Sequence, residues 1–145
     1  MSVKPFRSLL TLLVFCAASP VHAGQIAVEG AWFRALPAGL PAAGYFSLRN
    51  GGNSPVVLKS AQTPACAMLM LHQSSEAGGT SRMSDVSEVR VPAGGKVDFS
   101  PGGYHLMCTG PTAAMTPGRT VSVTLGFADG TSLQTAFAVK TAAGK

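Results

Sequence analysis

The stretch TVSVTLGFADGTSLQTAFAVK, residues 120–140, decides the fold class of this chain. Its first half places an apolar residue at every second position, which is the period of a β-strand with one buried face. Those positions are Val121, Val123, Leu125 and Phe127. The Asp129-Gly130 pair that follows is a strong hairpin-turn signal, and Leu133, Phe137 and Val139 continue on the return strand. The stretch therefore predicts a β-hairpin with one face in a hydrophobic core.

The rest of the chain is divided into short β-type runs. Seventeen glycines and ten prolines interrupt it, and little helical periodicity follows the first 23 residues. Strands are expected at residues 25–33, 42–49, 55–61, 65–71, 86–91, 97–99 and 104–109. Loops or turns are expected at residues 36–41, 50–53 and 76–81, the last as a loop tip or hairpin, with a frayed tail at 141–145. No internal repeat or interdomain linker is evident, so residues 24–140 are predicted to form one β-sandwich domain of about eight strands.

The N-terminus has the pattern of an export signal. Lys4 and Arg7 form a basic start, a short apolar run follows, and Val21-His22-Ala23 matches a signal-peptidase site. The apolar run is about half of the roughly 20 residues that a membrane-spanning helix needs. We therefore predict a signal peptide at residues 1–23. A retained anchor and a lipoprotein modified at Cys16 are alternatives, although Phe15 is large for a lipid-attachment motif.

Charge and composition exclude one broad class of function. Removal of the signal would leave 122 residues and lower the formal net charge from +5 to +3, because Lys4 and Arg7 are lost with no acidic residue. The remaining basic residues are scattered, so nucleic-acid binding is not expected. The mildly basic surface serves solubility, or it guides docking to an acidic partner.

Two histidines and two methionines recur at long fixed gaps between residues 72 and 107. Ten residues separate His72 from Met83, twenty-one separate Met83 from His105, and one separates His105 from Met107. On a strand, His105 and Met107 would project from the same face, about 7 Å apart at Cα. Thioethers favour Cu(I) over hard cations, and neutral donors allow release. The pattern predicts a copper(I) site with these four ligands, although any one of them alone would more often be a surface or core residue.

The same pattern resembles the periplasmic copper chaperone family called PCuAC. The likeness extends to Trp32-x-Arg34, Ala42-Ala43-x-Tyr45, Asn50-Gly51 and residues 91–95, and it covers most of the chain after the signal. The resemblance implies a cupredoxin-like Greek-key β-sandwich in the periplasm. It also implies a monomeric carrier that delivers Cu(I) to a membrane copper enzyme, namely cytochrome c oxidase, with a Sco-type thiol protein as a candidate intermediate partner. Tyr104, just before His105, is expected to shape the rim of the site, whereas Trp32, Arg34 and Tyr45 receive no ligand role.

Cys66 and Cys108 depart from the pattern of that family. Cys108 follows Met107 directly, so its side chain should point into the sandwich, whereas Cys66 shares parity with Met68, Met70 and His72. Three states stay open for the cysteines: a Cys66–Cys108 disulfide, two separate buried thiols, or thiolate ligation of copper. Met68 and Met70 are expected to pack in the core, with auxiliary copper ligation as the alternative.

Three other functions are alternatives to delivery. Copper sequestration for tolerance or uptake would use the same four ligands, so the sequence does not separate it from delivery. Electron transfer in a blue-copper site needs a Cys thiolate with two histidines, and Cys108 has the wrong parity and no following His. An enzyme is not expected, because no catalytic triad, paired carboxylates beside the histidines or phosphate-binding loop is present.

Overall fold

The structure is a computed structural model that describes residues 25–145. That part of the chain contains ten β-strands and a short 3-10 turn at Pro37–Gly39. The strands are β1 Ile26–Arg34, β2 Ala42–Asn50, β3 Val56–Gln62, β4 Cys66–Ala77, β5 Thr80–Asp85, β6 Val89–Val91, β7 Lys96–Phe99, β8 Tyr104–Pro111, β9 Thr120–Phe127 and β10 Ser132–Lys140. The predicted all-β class is confirmed, with ten strands where about eight were expected. The predicted signal peptide and Cys16 lie outside the described residues.

The ten strands form one continuous sheet that folds over on itself. Its order is β5-β4-β8-β7-β2-β1-β10-β9-β3-β6, and β8 also pairs with β2. Most neighbours are antiparallel, whereas β1 with β10 and β7 with β8 are parallel. Although β3 and β4 are far apart in the sheet order, they lie against each other across the fold. The result is the cupredoxin-like β-sandwich that was expected. In residues 25–145 no helix has the length and apolarity to span a bilayer.

The C-terminal hairpin contributes its apolar face to the core, as its alternation predicts. Val121, Val123, Leu125 and Phe127 are all buried, and β9 pairs with β10 in register across Leu125 and Leu133. Phe137 from β10 packs on Phe33 at a ring distance of 5.1 Å and on Phe46 at 5.5 Å. Burial of side chains of this size stabilises the fold by about 1.5–3 kcal/mol each.

The strand expected at residues 65–71 is longer than its apolar run. β4 continues to Ala77, turns at Gly78-Gly79, and pairs with β5. Both glycines have positive φ, +60° and +78°, as a two-residue hairpin turn requires. Every residue of β5 is exposed, so this hairpin extends beyond the core. The expectation of a hairpin at 76–81 is confirmed, whereas the expected end of the strand at Leu71 was wrong.

The two described cysteines are bonded to each other. Cys66 and Cys108 form a disulfide between the start of β4 and β8, with their Cα atoms 5.6 Å apart. Cys108 is fully buried, and Cys66 also turns into the core. An unbroken strand would have placed Cys66 on one face with Met68, Met70 and His72, and Cys66 instead turns to the core. The sulfur of each cysteine is occupied by the other, and neither is a free thiolate.

The last five residues fold back instead of extending as the expected frayed tail. The backbone N–H of Gly144 donates to the Thr141 carbonyl, and that of Thr141 donates to the Lys145 carbonyl. A side chain at Gly144 would contact the Trp32 ring. The turn therefore lies beside the end of β10 and the aromatic ring of β1.

Candidate metal centre

The predicted site residues lie on three neighbouring strands, β5, β4 and β8. His72 is central on β4, with Asp85 of β5 on one side of it and His105 of β8 on the other. Met83 pairs with Ser74, two residues along β4 from His72. Because side chains two residues apart on a strand share a face, His72, Met83, His105 and Met107 all belong to one face of the sheet. Met107 is opposite Met70, which adds a third thioether to that face.

The two imidazoles are direct cross-strand neighbours. Their ring centroids are 5.6 Å apart and their planes are inclined by 69°. Two imidazoles that share one metal ion, with bonds of about 2.0 Å, have ring centres about 4.5–6 Å apart. The pair is therefore spaced so that a single ion can bind both rings.

His105 is held by the turn that precedes it. Its side chain is buried, and Nδ1 lies 3.2 Å from the Gly103 carbonyl oxygen. A carbonyl can only accept, so Nδ1 carries the proton and Nε2 keeps a lone pair for a ligand. The same carbonyl accepts the backbone N–H of Ser74 at 3.0 Å, which joins β4 to this turn. Burial lowers the pKa of His105, and the charges of His72 and Arg34 lower it further, against the opposing effect of the Gly103 hydrogen bond.

His72 has two buried ring nitrogens without a hydrogen bond. Nε2 is 2.8 Å from Asp85 Oδ1, an ion-pair distance, but the contact lacks the direction of an N–H···O bond. Leaving a buried polar atom unpaired costs about 1–3 kcal/mol. A metal ion would satisfy one of these nitrogens, so the donor chemistry of His72 fits metal binding. Among residues 25–145, no three His, Cys, Asp or Glu side chains are gathered closely enough to complete such a site alone.

The two predicted sulfur ligands line a small hollow that is also lined by His105 but not by His72. The hollow has a volume of about 170 Å³, and Met83, His105 and Met107 lie on its wall. Met83 is 61% exposed, whereas Met107 is partly buried. Ala43 of β2, directly opposite Met107, also lines the hollow, and its small side chain leaves space there. Met83 is therefore open to solvent, whereas Met107 is partly enclosed between its neighbours on β4 and β2.

Arg34 and Tyr45 form the far wall of the same hollow. Arg34 Nη2 donates to the Tyr45 hydroxyl at 2.7 Å. Burial raises the pKa of Tyr45, and the neighbouring guanidinium partly opposes that shift. Neither residue was expected to be a ligand, and Tyr45 was expected in core or rim packing. Tyr45 is on β2, which pairs with β8, and Arg34 is on β1, the next strand, so their positions depend on sheet order and could not be obtained from spacing along the chain.

Around the site, the positions of Tyr104 and Met68 differ from those predicted, and Asp85 is a neighbour that was not predicted. Tyr104 was expected at its rim, but it lies on the opposite face of β8 from His105, and its ring packs on Phe99 at 5.7 Å. Met68, expected in the core, is 56% exposed, whereas Met70 is partly buried. Asp85 was not identified as a site residue, although its place two residues after Met83 was a signal that could have indicated it.

The chain belongs to the LpqE-like family. A family model described as "Putative lipoprotein LpqE-like" matches residues 26–139, which is nearly the whole described domain. A curated relative, "Putative lipoprotein Lxx21020" of Leifsonia xyli subsp. xyli (strain CTCB07), is 33% identical over 120 residues. That match covers 82% of this chain and 72% of the relative.

Solved structures with the same fold include PCuAC domains. The copper-bound PCuAC domain from PmoF2 matches with a TM-score of 0.68 and 21% identity, covering 81% of this chain and 94% of that domain. The CuI-DR1885 structure from Deinococcus radiodurans is 32% identical, with a TM-score of 0.65 and 81% of each chain covered. Apo-DR1885 is 29% identical, with a TM-score of 0.63, covering 97% of this chain and 95% of that one. The fold of this chain is thus that of the PCuAC domains.

Proposed function

We propose that this protein is a copper(I) chaperone that binds one Cu(I) through His72, Met83, His105 and Met107. The observation that carries the proposal is the His72–His105 pair, whose rings are 5.6 Å apart and share a face with two thioethers. The name of CuI-DR1885, at 32% identity, supports Cu(I) as the cargo. Two imidazoles and two thioethers are neutral, so bound Cu(I) keeps its single charge and is free to leave for a thiolate acceptor.

X-ray absorption of the Cu(I)-loaded chain from residue 24 tests the ligand set. The described strands all lie within residues 25–145, so this form keeps the fold. Mixed nitrogen and sulfur scattering is expected, with one sulfur lost in each of the variants Met83→Ala and Met107→Ala. Sulfur scattering that is unchanged in both variants would exclude this ligand set and direct attention to Met68 and Met70.

Delivery to a membrane copper enzyme, with cytochrome c oxidase as the acceptor and a Sco-type protein as an intermediate, is the favoured role. The exposed Met83 supports it, because an acceptor can reach the ion from the side of β5. Sequestration for copper tolerance is the second candidate, since the same ligands serve it. A deletion strain separates the two: delivery predicts low oxidase activity at scarce copper, and sequestration predicts poor growth only at toxic copper.

Export to the periplasm completes the proposal. The pattern of residues 1–23 supports a cleaved signal peptide, while the word lipoprotein in the names of the family and of the curated relative supports lipid attachment at Cys16. Mass spectrometry of the N-terminus from cell fractions distinguishes them. A soluble chain that begins at Gly24 supports the cleaved form, and a membrane-bound chain with a lipidated Cys16 supports the anchored form.

A further inference from the structure

Arg34 places a positive charge in the wall of the hollow that the two predicted sulfur ligands line. One N–H of its guanidinium donates to the Tyr45 hydroxyl at 2.7 Å. A guanidinium has five N–H donors, so others remain for a ligand, and the phenol keeps its own hydrogen as a donor. Among residues 25–145, the ion pairs place no carboxylate on Arg34. The charge on this wall is therefore not balanced by a carboxylate of the domain.

A second cation lies close to Arg34 on the neighbouring strand. Lys140 of β10 is the register partner of Arg34, and its ammonium lies 5.3 Å from the centre of the Trp32 ring. The carboxylate of Asp85 contacts His72, which does not line the hollow. Among residues 25–145, none of the side chains that line the hollow is acidic. The hollow is thus bordered by positive charge on the side of β1.

Positive charge beside a bound cation is unfavourable for that cation and favourable for an incoming anion. An anion that exchanges with the ligands of Cu(I) must also be a soft donor. Carboxylates are hard donors, whereas a cysteine thiolate is both soft and anionic. The hollow has a volume of about 170 Å³, which is about the space of six water molecules at roughly 30 Å³ each. That space suits one small side chain such as cysteine, entering beside the exposed Met83.

We propose that Arg34, oriented by Tyr45, is a positioning residue that receives the cysteine thiolate of a copper acceptor in this hollow. The inference rests on the proposed function and adds the place at which the acceptor's ligand enters. In the exchange, a bond from Cu(I) to the thiolate sulfur forms and the bond from Cu(I) to the Met83 sulfur breaks. Copper stays Cu(I), no electron is transferred, and the thiol proton has already passed to water. Met83 leaves first because it is exposed on the edge strand β5.

The test follows the rate of Cu(I) transfer from the loaded chain, beginning at residue 24, to two acceptors. One is a peptide with two cysteines and no charged side chain, which attacks as a thiolate, and the other is neocuproine, a neutral chelator. Arg34→Gln is expected to slow transfer to the peptide about 10-fold and transfer to neocuproine much less. The equilibrium Cu(I) affinity should stay equal or rise, because a like charge is removed. Arg34→Lys, which keeps the charge, should recover part of the rate.

Arg82→Gln is the matched control. Arg82 is adjacent to Met83 on β5 but on the opposite face, so the change removes the same charge near the site and outside the hollow. A slowing in Arg34→Gln that is no greater than in Arg82→Gln, or that is equal for the two acceptors, would overturn the role of Arg34. A fall in the Cu(I) affinity of Arg34→Gln would also overturn it, because that result indicates a structural role.

Salt provides a measurement that needs no variant. Added salt screens the thiolate from Arg34, so the wild-type rate to the peptide should fall with ionic strength while the rate to neocuproine does not. A wild-type rate to the peptide that is independent of salt would overturn the inference, even if Arg34→Gln did not fold, and would leave the chaperone proposal intact. Failure of the wild-type protein to bind Cu(I) would remove both proposals.

Discussion

His72 and His105 face each other across β4 and β8, and the Gly103 carbonyl joins their surroundings. It accepts from the His105 ring at 3.2 Å and from the backbone of Ser74, two residues after His72, at 3.0 Å. The two imidazoles are therefore placed by the register of β4 with β8 and by the turn that precedes β8. The sulfurs differ, since Met107 is partly buried on β8 whereas Met83 is exposed on the edge strand β5.

Replacement of either imidazole is expected to abolish tight Cu(I) binding. His72→Ala and His105→Ala should each lower the Cu(I) affinity by more than about 100-fold, because loss of a ligand exceeds the effect of losing a residue behind it. Chelator competition under anaerobic conditions measures the change. Gln73→Ala is the control, since Gln73 is adjacent to His72 but on the opposite face of β4. A tight Cu(I) complex in both histidine variants would rule out the paired-imidazole site.

Replacement of Met83 and of Met107 is expected to weaken Cu(I) binding in both cases but to lower the stability of the fold in only one. Met83 is 61% exposed, so Met83→Ala should change the free energy of unfolding by less than about 0.5 kcal/mol while weakening Cu(I) binding. Met107 is partly buried beside Met70 and Ala43, so Met107→Ala should weaken binding and also destabilise the fold. Urea unfolding of the copper-free proteins measures stability. Equal destabilisation by the two substitutions would contradict the difference in their burial.

Loss of the disulfide is expected to destabilise the fold substantially. The bridge closes a loop with a sequence separation of 42, which in the chain-entropy model contributes about 4 kcal/mol. The double variant Cys66→Ala and Cys108→Ala should show this loss in urea unfolding. Cu(I) that binds with unchanged stoichiometry in the double variant would support a structural role. Loss of a sulfur from its absorption spectrum would instead indicate thiolate ligation.

Acid is expected to destabilise the copper-free protein through His105. Its pKa is lowered in the folded state by burial, so the unfolded chain binds the proton more readily. The stabilising contribution is complete above the unfolded pKa of about 6.5 and is lost as the pH falls toward the lowered folded value. Unfolding free energies measured from pH 7.5 to pH 4.5 should decline less steeply in His105→Gln. Parallel profiles for the two proteins would show that another group causes the decline.

The period-two pattern of apolar residues was enough to predict most of the strands, because each core strand carries its own apolar alternation. Val121 to Phe127 is the clearest example, and its burial follows the pattern without exception. The β4–β5 hairpin could not be located fully, because residues 72–85 have no buried face and depend on backbone pairing alone. The inward direction of Cys66 was also not predicted. Side chains alternate between the two faces only within a regular strand, and Cys66 is the first residue of β4.

By itself, the sequence determined the all-β class, because strand period is a local property of the chain, and it indicated four candidate donors from their spacing. The pairing of the strands decided which other side chains surround these donors. It placed Asp85 against His72, Ala43 opposite Met107, and Arg34 with Tyr45 on the far wall of the hollow. Some of these neighbours, such as Ala43 and Met107, come from strands that are distant in sequence. Only the order in which the sheet assembles them determines which side chains meet.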